Sequence, residues 1–205
     1  MSRHLLLLVL AALLLLLPPA SCRLLSGVEH TAPSRSGELH DALCHSHRCR
    51  QLCLTAARRA DEQGAREAAR LFVAIASAQH IHEQLYRSAL AARGGEFSIV
   101  DSLPFVAESA AQNLRAAHRE LDYCFSAAIA TLLESGNRYG ARLMIRHAAS
   151  ENRMRRLIDL LLNSGDSAAR RSYGLCPRCG FLTAAPYRDP YCPQCLLSES
   201  RFLEF

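Results

Sequence analysis

Four cysteines near the C-terminus carry the clearest chemistry in the chain. Cys176-Pro177-Arg178-Cys179 is followed, after twelve residues, by Cys192-Pro193-Gln194-Cys195. In a C-x-x-C turn the two thiolates converge on one point, and the same tight turn aims backbone N–H groups at the sulfurs. Two such turns make a closed tetrahedral site of four sulfurs, which suits Zn2+ or a single iron. Two disulfides, or the reactive dithiols of a redox helix, are the competing uses of these residues. The paired spacing, with Pro after the first Cys of each pair, favours one metal ion held by Cys176, Cys179, Cys192 and Cys195.

Other reactive residues gather upstream. Ser46, Cys49 and Cys53 sit at i, i+3 and i+7 and share one helical face. Glu120 and Cys124, at i and i+4, share another. Thiols facing the interior could form a thiolate-containing redox or metal site, or a Cys53–Cys124 disulfide across helices. They could equally be small apolar core residues. His40, Cys44 and His47 also lie on one face, where surface chelation competes with a plain solvated face. His80 reads as solvent-facing, and Arg138, Arg142, Arg146 and Arg153 as a solvated stripe.

The elements that position these groups are helical. The 205 residues are 50% hydrophobic, enough for one proper core plus a small appended module. Ala, Leu and Arg dominate, which favours helix over sheet. The net charge of +5 is spread along the chain, and Trp is absent, so a nucleic-acid surface is not expected. Arg3 and His4 precede an apolar run from Leu5 to Leu17 that ends in Pro18-Pro19-Ala20-Ser21-Cys22. That pattern describes a secretory signal over residues 1–22. The run is short of the about 20 apolar residues that a membrane span needs. A lipidated Cys22 and an uncleaved anchor are the alternatives. The expectation is export to the outside, the periplasm or the secretory lumen, with membrane contact only through this segment.

Residues 23–37 read as a polar linker. Helical periodicity then runs over Glu38–Gln63, Ala65–Ala92, Ala107–Ser135 and Arg138–Leu162, so a bundle occupies 38–165 and a knuckle domain 172–205. An internal repeat supports the pairing of these helices. Gly64, Ala69, Arg70, Leu71 and Ala76 recur 72 positions later as Gly136, Ala141, Arg142, Leu143 and Ala148. Two duplicated hairpins joined by a crossover make a four-helix bundle with pseudo-twofold symmetry.

This combination resembles the rubrerythrin family over roughly Leu39 to Phe205: a ferritin-like four-helix bundle followed by a rubredoxin-like four-cysteine domain. The telling residues are Gln63-Gly64 with Leu71-Phe72, Asn113-Leu114-Arg115-Ala116-Ala117, and the tail from Tyr173 through Cys195 to Phe202. The resemblance implies a mainly α fold and a redox-active iron on the four cysteines, with zinc as the alternative metal. It also implies a di-iron bundle site that reduces hydrogen peroxide, fed electrons by the rubredoxin-like iron; a redox partner or a homodimer is the expected association. The bundle ligands depart from the family pattern. The expected glutamate of the first helix falls on Ser46, and Glu-x-x-His in the second becomes Gln79-His80-Ile81-His82. In the third helix the pair of glutamates falls on Ala117 and Glu120, or on Leu121 and Cys124 after a one-turn slip. In the fourth, Glu-x-x-His reads Glu151-Asn152-Arg153-Met154. His82, Glu120 and Glu151 survive, enough for at most one metal ion. The expected protein is an exported iron-binding electron carrier with peroxide-linked activity and a degenerate bundle site. The contrasting expectation is a non-catalytic bundle with a structural zinc knuckle.

Overall fold

The computed structural model describes residues 37–94, 97–99, 104–165, 171–185 and 189–205. The signal segment and nearly all of the linker lie outside the described residues.

Helices α1 (Gly37–Glu62) and α2 (Arg66–Ala91) form the first hairpin. The turn between them is set by Gly64, whose φ of +72° is one that residues with a Cβ rarely adopt. It lets Ala65 N donate to Ala60 O and Gly64 N donate to Asp61 O, both at 2.9 Å, closing the helix end. The same bonds recur 72 residues on. Gly136 has φ +74°, Asn137 N donates to Leu132 O at 2.7 Å, and Gly136 N donates to Leu133 O at 3.0 Å. The duplication is therefore structural as well as sequential.

In the second half the polypeptide forms α3 (Ala110–Glu120), α4 (Ser126–Glu134) and α5 (Arg138–Ser164). The single third helix expected over 107–135 is thus two helices, broken at 121–125. Neither Gly nor Pro stands in that break. The cause is tertiary: leaving the helix lets Tyr123 stack on His45, with ring centroids 4.3 Å apart, while Phe125 buries its ring against His147 at 4.9 Å. Asn137 caps α5 by accepting from Gly140 N at 3.0 Å.

The bundle core is two apolar layers with a polar belt between them. One layer takes Leu39 and Leu43 from α1, Tyr86 and Leu90 from α2, and Met144 from α5. The other takes Leu52 from α1, Leu71, Phe72 and Ile75 from α2, Leu114 from α3, and Leu157 from α5. Along each long helix a set of buried polar residues falls between these layers: His45 and Ser46, Gln79 and His82, His147, Ser150 and Glu151. Burying a leucine in such a layer is worth about 2 kcal/mol, so the layers hold the belt in place against its own cost of desolvation.

The C-terminal region folds as β1 (Tyr173–Leu175), β2 (Leu182–Ala184) and β3 (Leu203–Glu204) in an antiparallel sheet of order β2-β1-β3. Tyr173, Leu175, Leu182 and Ala184 join the second apolar layer, so the sheet is docked on the bundle. Arg70 fastens the end of the chain by donating to Phe205 O at 2.6 Å. Among the described residues no helix is long and apolar enough to cross a membrane.

Candidate metal centres

The two C-x-x-C turns form matching knuckles. Cys176 N donates to Phe181 O at 3.0 Å and Gly180 N to Cys176 O at 3.0 Å. In the second turn Cys192 N donates to Leu197 O at 2.8 Å and Leu196 N to Cys192 O at 2.9 Å. Gly180 and Leu196 occupy the same place, each with positive φ, +75° and +59°. The sulfurs of Cys176 and Cys195 lie 3.4 Å apart, those of Cys179 and Cys192 3.5 Å, and all four fall within 4.8 Å of one another. Disulfides are excluded by those separations, whereas tetrahedral thiolates around one ion with metal–sulfur bonds of about 2.3 Å need sulfurs at close to this spacing. Cys176 is drawn down to about 5, first by a hydrogen bond from the Cys179 thiol and then by the N–H groups of Arg178 and Cys179. A cysteine already poised as thiolate is what a metal site requires. The four residues fit a single tetrahedral ion.

The polar belt is centred on Glu151. His45 Nε2 donates to Glu151 Oε1 at 2.7 Å, Gln79 Nε2 donates to the same oxygen at 3.0 Å, and His147 Nε2 lies 3.1 Å from it. The other Glu151 oxygen is buried with no hydrogen-bond partner. Tyr86 donates its hydroxyl to His147 Nδ1 at 2.8 Å, which leaves the proton of His147 on Nε2. Burial pushes His147 down and keeps it neutral. Burial would also lower His45, but hydrogen bonds to Glu120 and Glu151 outweigh it and raise His45, so this ring is the cation of the cluster. Burial would raise Glu151, yet His147, as a neutral N–H donor, and His45, through its charge and hydrogen bond, pull it down to about 2. With His147 neutral, the ion pair that matters is His45–Glu151. Glu120 reaches the same imidazole from α3, 3.7 Å from Nδ1, and also accepts from Arg48 Nε at 3.4 Å.

His82 is turned elsewhere. Its Nε2 donates to the carbonyl of Cys179 at 3.1 Å, and Ser150 donates to the carbonyl of Gly180 at 3.2 Å. A Cβ at residue 180 would come within 2.6 Å of His82 Nε2. The first knuckle turn therefore touches the belt directly. Burial and the neighbouring His147 keep His82 well below the usual histidine range.

Of the residues expected in the bundle, Glu151 and Glu120 meet through His45, and His82 reaches Glu151 indirectly, through Gln79 and His147. Cys49 joins them, with its sulfur 3.7 Å from His45 Nε2, so His45, Cys49 and Glu151 can offer ligand atoms within 4.8 Å of one another. Cys53 is an apolar core residue, its thiol pushed up to about 12 by burial. Cys124 lies exposed with its sulfur 3.2 Å from Ser126 Oγ, so it is not bonded to Cys53. Of His40, Cys44 and His47 only two meet: the Cys44 sulfur lies 3.8 Å from His40 Nε2, while that ring also reaches Ser98 O and buried His47 faces Glu83. His80 is exposed. Sequence reasoning missed His45 and His147. The signal was there in the spacing, since His147 precedes Glu151 by four residues and His45 precedes Cys49 by four, each on one helical face.

A belted helical bundle with a docked four-cysteine knuckle is the rubrerythrin fold. Solved structures of nigerythrin, a rubrerythrin, share it. The fully reduced, all-ferrous state of that protein superposes with a TM-score of 0.77 at 22% identity, covering 88% of this chain and 91% of the other. Its mixed-valence and partially reduced states give 0.75 at 24% identity, covering 88% of this chain and 90% of the other. No family model and no curated protein sequence matches the chain.

Proposed function

We propose that this is an exported iron-binding redox protein of rubrerythrin type, in which the knuckle is the working centre and the bundle site is degenerate. The observation that carries the reading is the convergence of Cys176, Cys179, Cys192 and Cys195 in a fold shared with an iron protein. Iron on four thiolates supplies a one-electron couple. The chain's own part is to hold the thiolates with the N–H groups of both turns, and to fix the Cys179 carbonyl with His82. The electrons come from a redox partner, and a second copy of the chain is the other candidate associate.

The belt does not fit two ferrous ions. Gln79 touches both Glu151 and Met154, and these two side chains, Gln79 and Met154, stand where the family pattern has a carboxylate and an imidazole ligand. One buried carboxylate, one half-buried carboxylate and a histidine cation leave too little negative charge for two divalent ions. At most one ion fits, on His45, Cys49 and Glu151, with the unpartnered oxygen of Glu151 as its anchor. Its entry must displace the proton of His45. Peroxide turnover is accordingly expected to be weak.

The test is metal analysis with optical and electron-spin spectroscopy of the purified full chain. One iron per chain, a red ferric form and its bleaching on reduction are expected. A colourless chain holding zinc alone would overturn this reading in favour of a structural knuckle. Two irons in addition to the knuckle metal would show the belt to be a working di-metal site.

A further inference from the structure

At the seam between α5 and the first knuckle turn opens a cavity of about 330 Å3. Arg142 and Arg146, one turn apart on α5, line it together with Arg178 of the knuckle turn and the phenol of Tyr139. Its inner end reaches His82 and Cys179. No aspartate or glutamate lines it. Five other arginines of the bundle do meet carboxylates: Arg48 with Glu120, Arg50 with Glu83, Arg59 with Glu62, Arg70 with Glu67, and Arg155 with Asp122. Among the described residues no ion pair joins Arg142, Arg146 or Arg178. Within the same residues, the only side-chain bond of the three is a long one, 3.5 Å, from Arg178 to Cys195 O.

Three guanidinium groups facing one concave space without an internal counter-ion raise its potential and leave their forked donors unspent. The volume is that of a small-ligand site, too confined for a folded partner. The seam is also held firm from the knuckle side, where Gln194 donates to Arg146 O at 3.0 Å. We propose that this cavity binds a small anion bearing a phosphate or carboxylate group, gripped by Arg142 and Arg146 from the bundle and Arg178 from the knuckle. Because its ligating arginines belong to both parts, the anion clamps the knuckle onto the belt. It also places negative charge beside Cys179 and Cys195, two of the proposed metal ligands. Bound anion therefore makes the knuckle metal harder to reduce.

The proposal rests on the loaded knuckle, so metal content is assayed on every sample used. Titration calorimetry of the full chain with inorganic phosphate, and separately with succinate, distinguishes the two anion classes. Saturable one-to-one binding of at least one of them is expected. The double substitution Arg142→Gln with Arg146→Gln should weaken it at least roughly 10-fold, as lost charge-assisted hydrogen bonds do, and Arg178→Gln should weaken it similarly. Arg156→Gln, exposed on the same helix and outside the cavity, should leave it unchanged. Phosphate or succinate should also slow amide exchange across the knuckle turns in the parent chain but not in Arg178→Gln. Absence of saturable binding by both anions in metal-loaded protein would overturn the proposal. So would equal affinity in the parent and the double variant.

Discussion

The knuckle and the belt both gather groups that could hold a metal ion, yet they are built in opposite ways. In the knuckle every ligand comes from a turn within 20 residues of sequence, and each turn carries its own backbone donors. Its four sulfurs lie together with backbone N–H groups and one another as their partners. In the belt the groups come from α1, α2, α3 and α5, and apart from one unpartnered Glu151 oxygen they satisfy each other: a histidine cation, a carboxylate, an amide and a neutral histidine form an internal network. A site that completes itself with protons competes with metal, and a site that cannot complete itself depends on metal. The two regions meet at Cys179 and His82, so the belt, largely satisfied from within, also serves as the seat of the metal-dependent knuckle.

The contrast can be broken most sharply at the knuckle. Cys179→Ala should lose the metal entirely, because binding of a structural ion to thiolates supplies on the order of 10 kcal/mol of folding free energy. Metal analysis should read zero at this site while circular dichroism still shows most of the helix. Since β1 and β2 share an apolar layer with the bundle, the remaining helices should also melt earlier. Stoichiometric metal retained by this variant would mean that the knuckle, like the belt, does not depend on its full ligand set.

A smaller effect is expected in the belt. In metal-free protein Glu151→Gln strands the His45 cation in a buried site, and unfolding by urea should show a loss of about 3 kcal/mol. Peroxide turnover should barely change. A loss below about 1 kcal/mol, the scale of an exposed pair, would mean that the belt does not satisfy itself through this ion pair.

At the junction, Gly180→Ala should cost about 1–3 kcal/mol, because a Cβ there is strained at φ +75° and crowds His82. Faster amide exchange in the knuckle, with the bundle unchanged, is the expected signature. Unchanged exchange would show that the contact with His82 is not what seats the turn.

The mildest test is pH. The folded value of His45 lies above 6.5, so its stabilising proton is fully effective below pH 6.5 and is lost as pH rises through that folded value. Glu151 falls from 4.5 to about 2, so its contribution is present above pH 4.5 and is lost as pH falls toward 2. The pair is strongest between pH 4.5 and 6.5. His82 and His147 are lowered first by burial and act in the opposite sense, and that burial is common to the parent and to His45→Gln. The stability gap between those two metal-free proteins should therefore be widest in this window and shrink in alkali. A gap independent of pH would place the charge elsewhere.

Much of this protein is legible from local spacing alone. The C-x-x-C pairs, the 72-residue repeat and the hairpin glycines Gly64 and Gly136 act through covalent geometry over a few bonds, and their outcome does not depend on distant partners. The mainly helical bundle and the four-cysteine knuckle follow from them. What the belt became was decided by tertiary structure. Helical periodicity continues through 121–125, and only the fit of Tyr123 and Phe125 against His45 and His147 breaks it. His82 sits on the expected inner face, but whether it meets Glu151 or the Cys179 carbonyl depends on where a turn 97 residues away is docked. His45 joins Glu151 across 106 residues for the same reason. A helix sequence says which residues face inward; the rotation and register of its neighbours decide which atoms they meet.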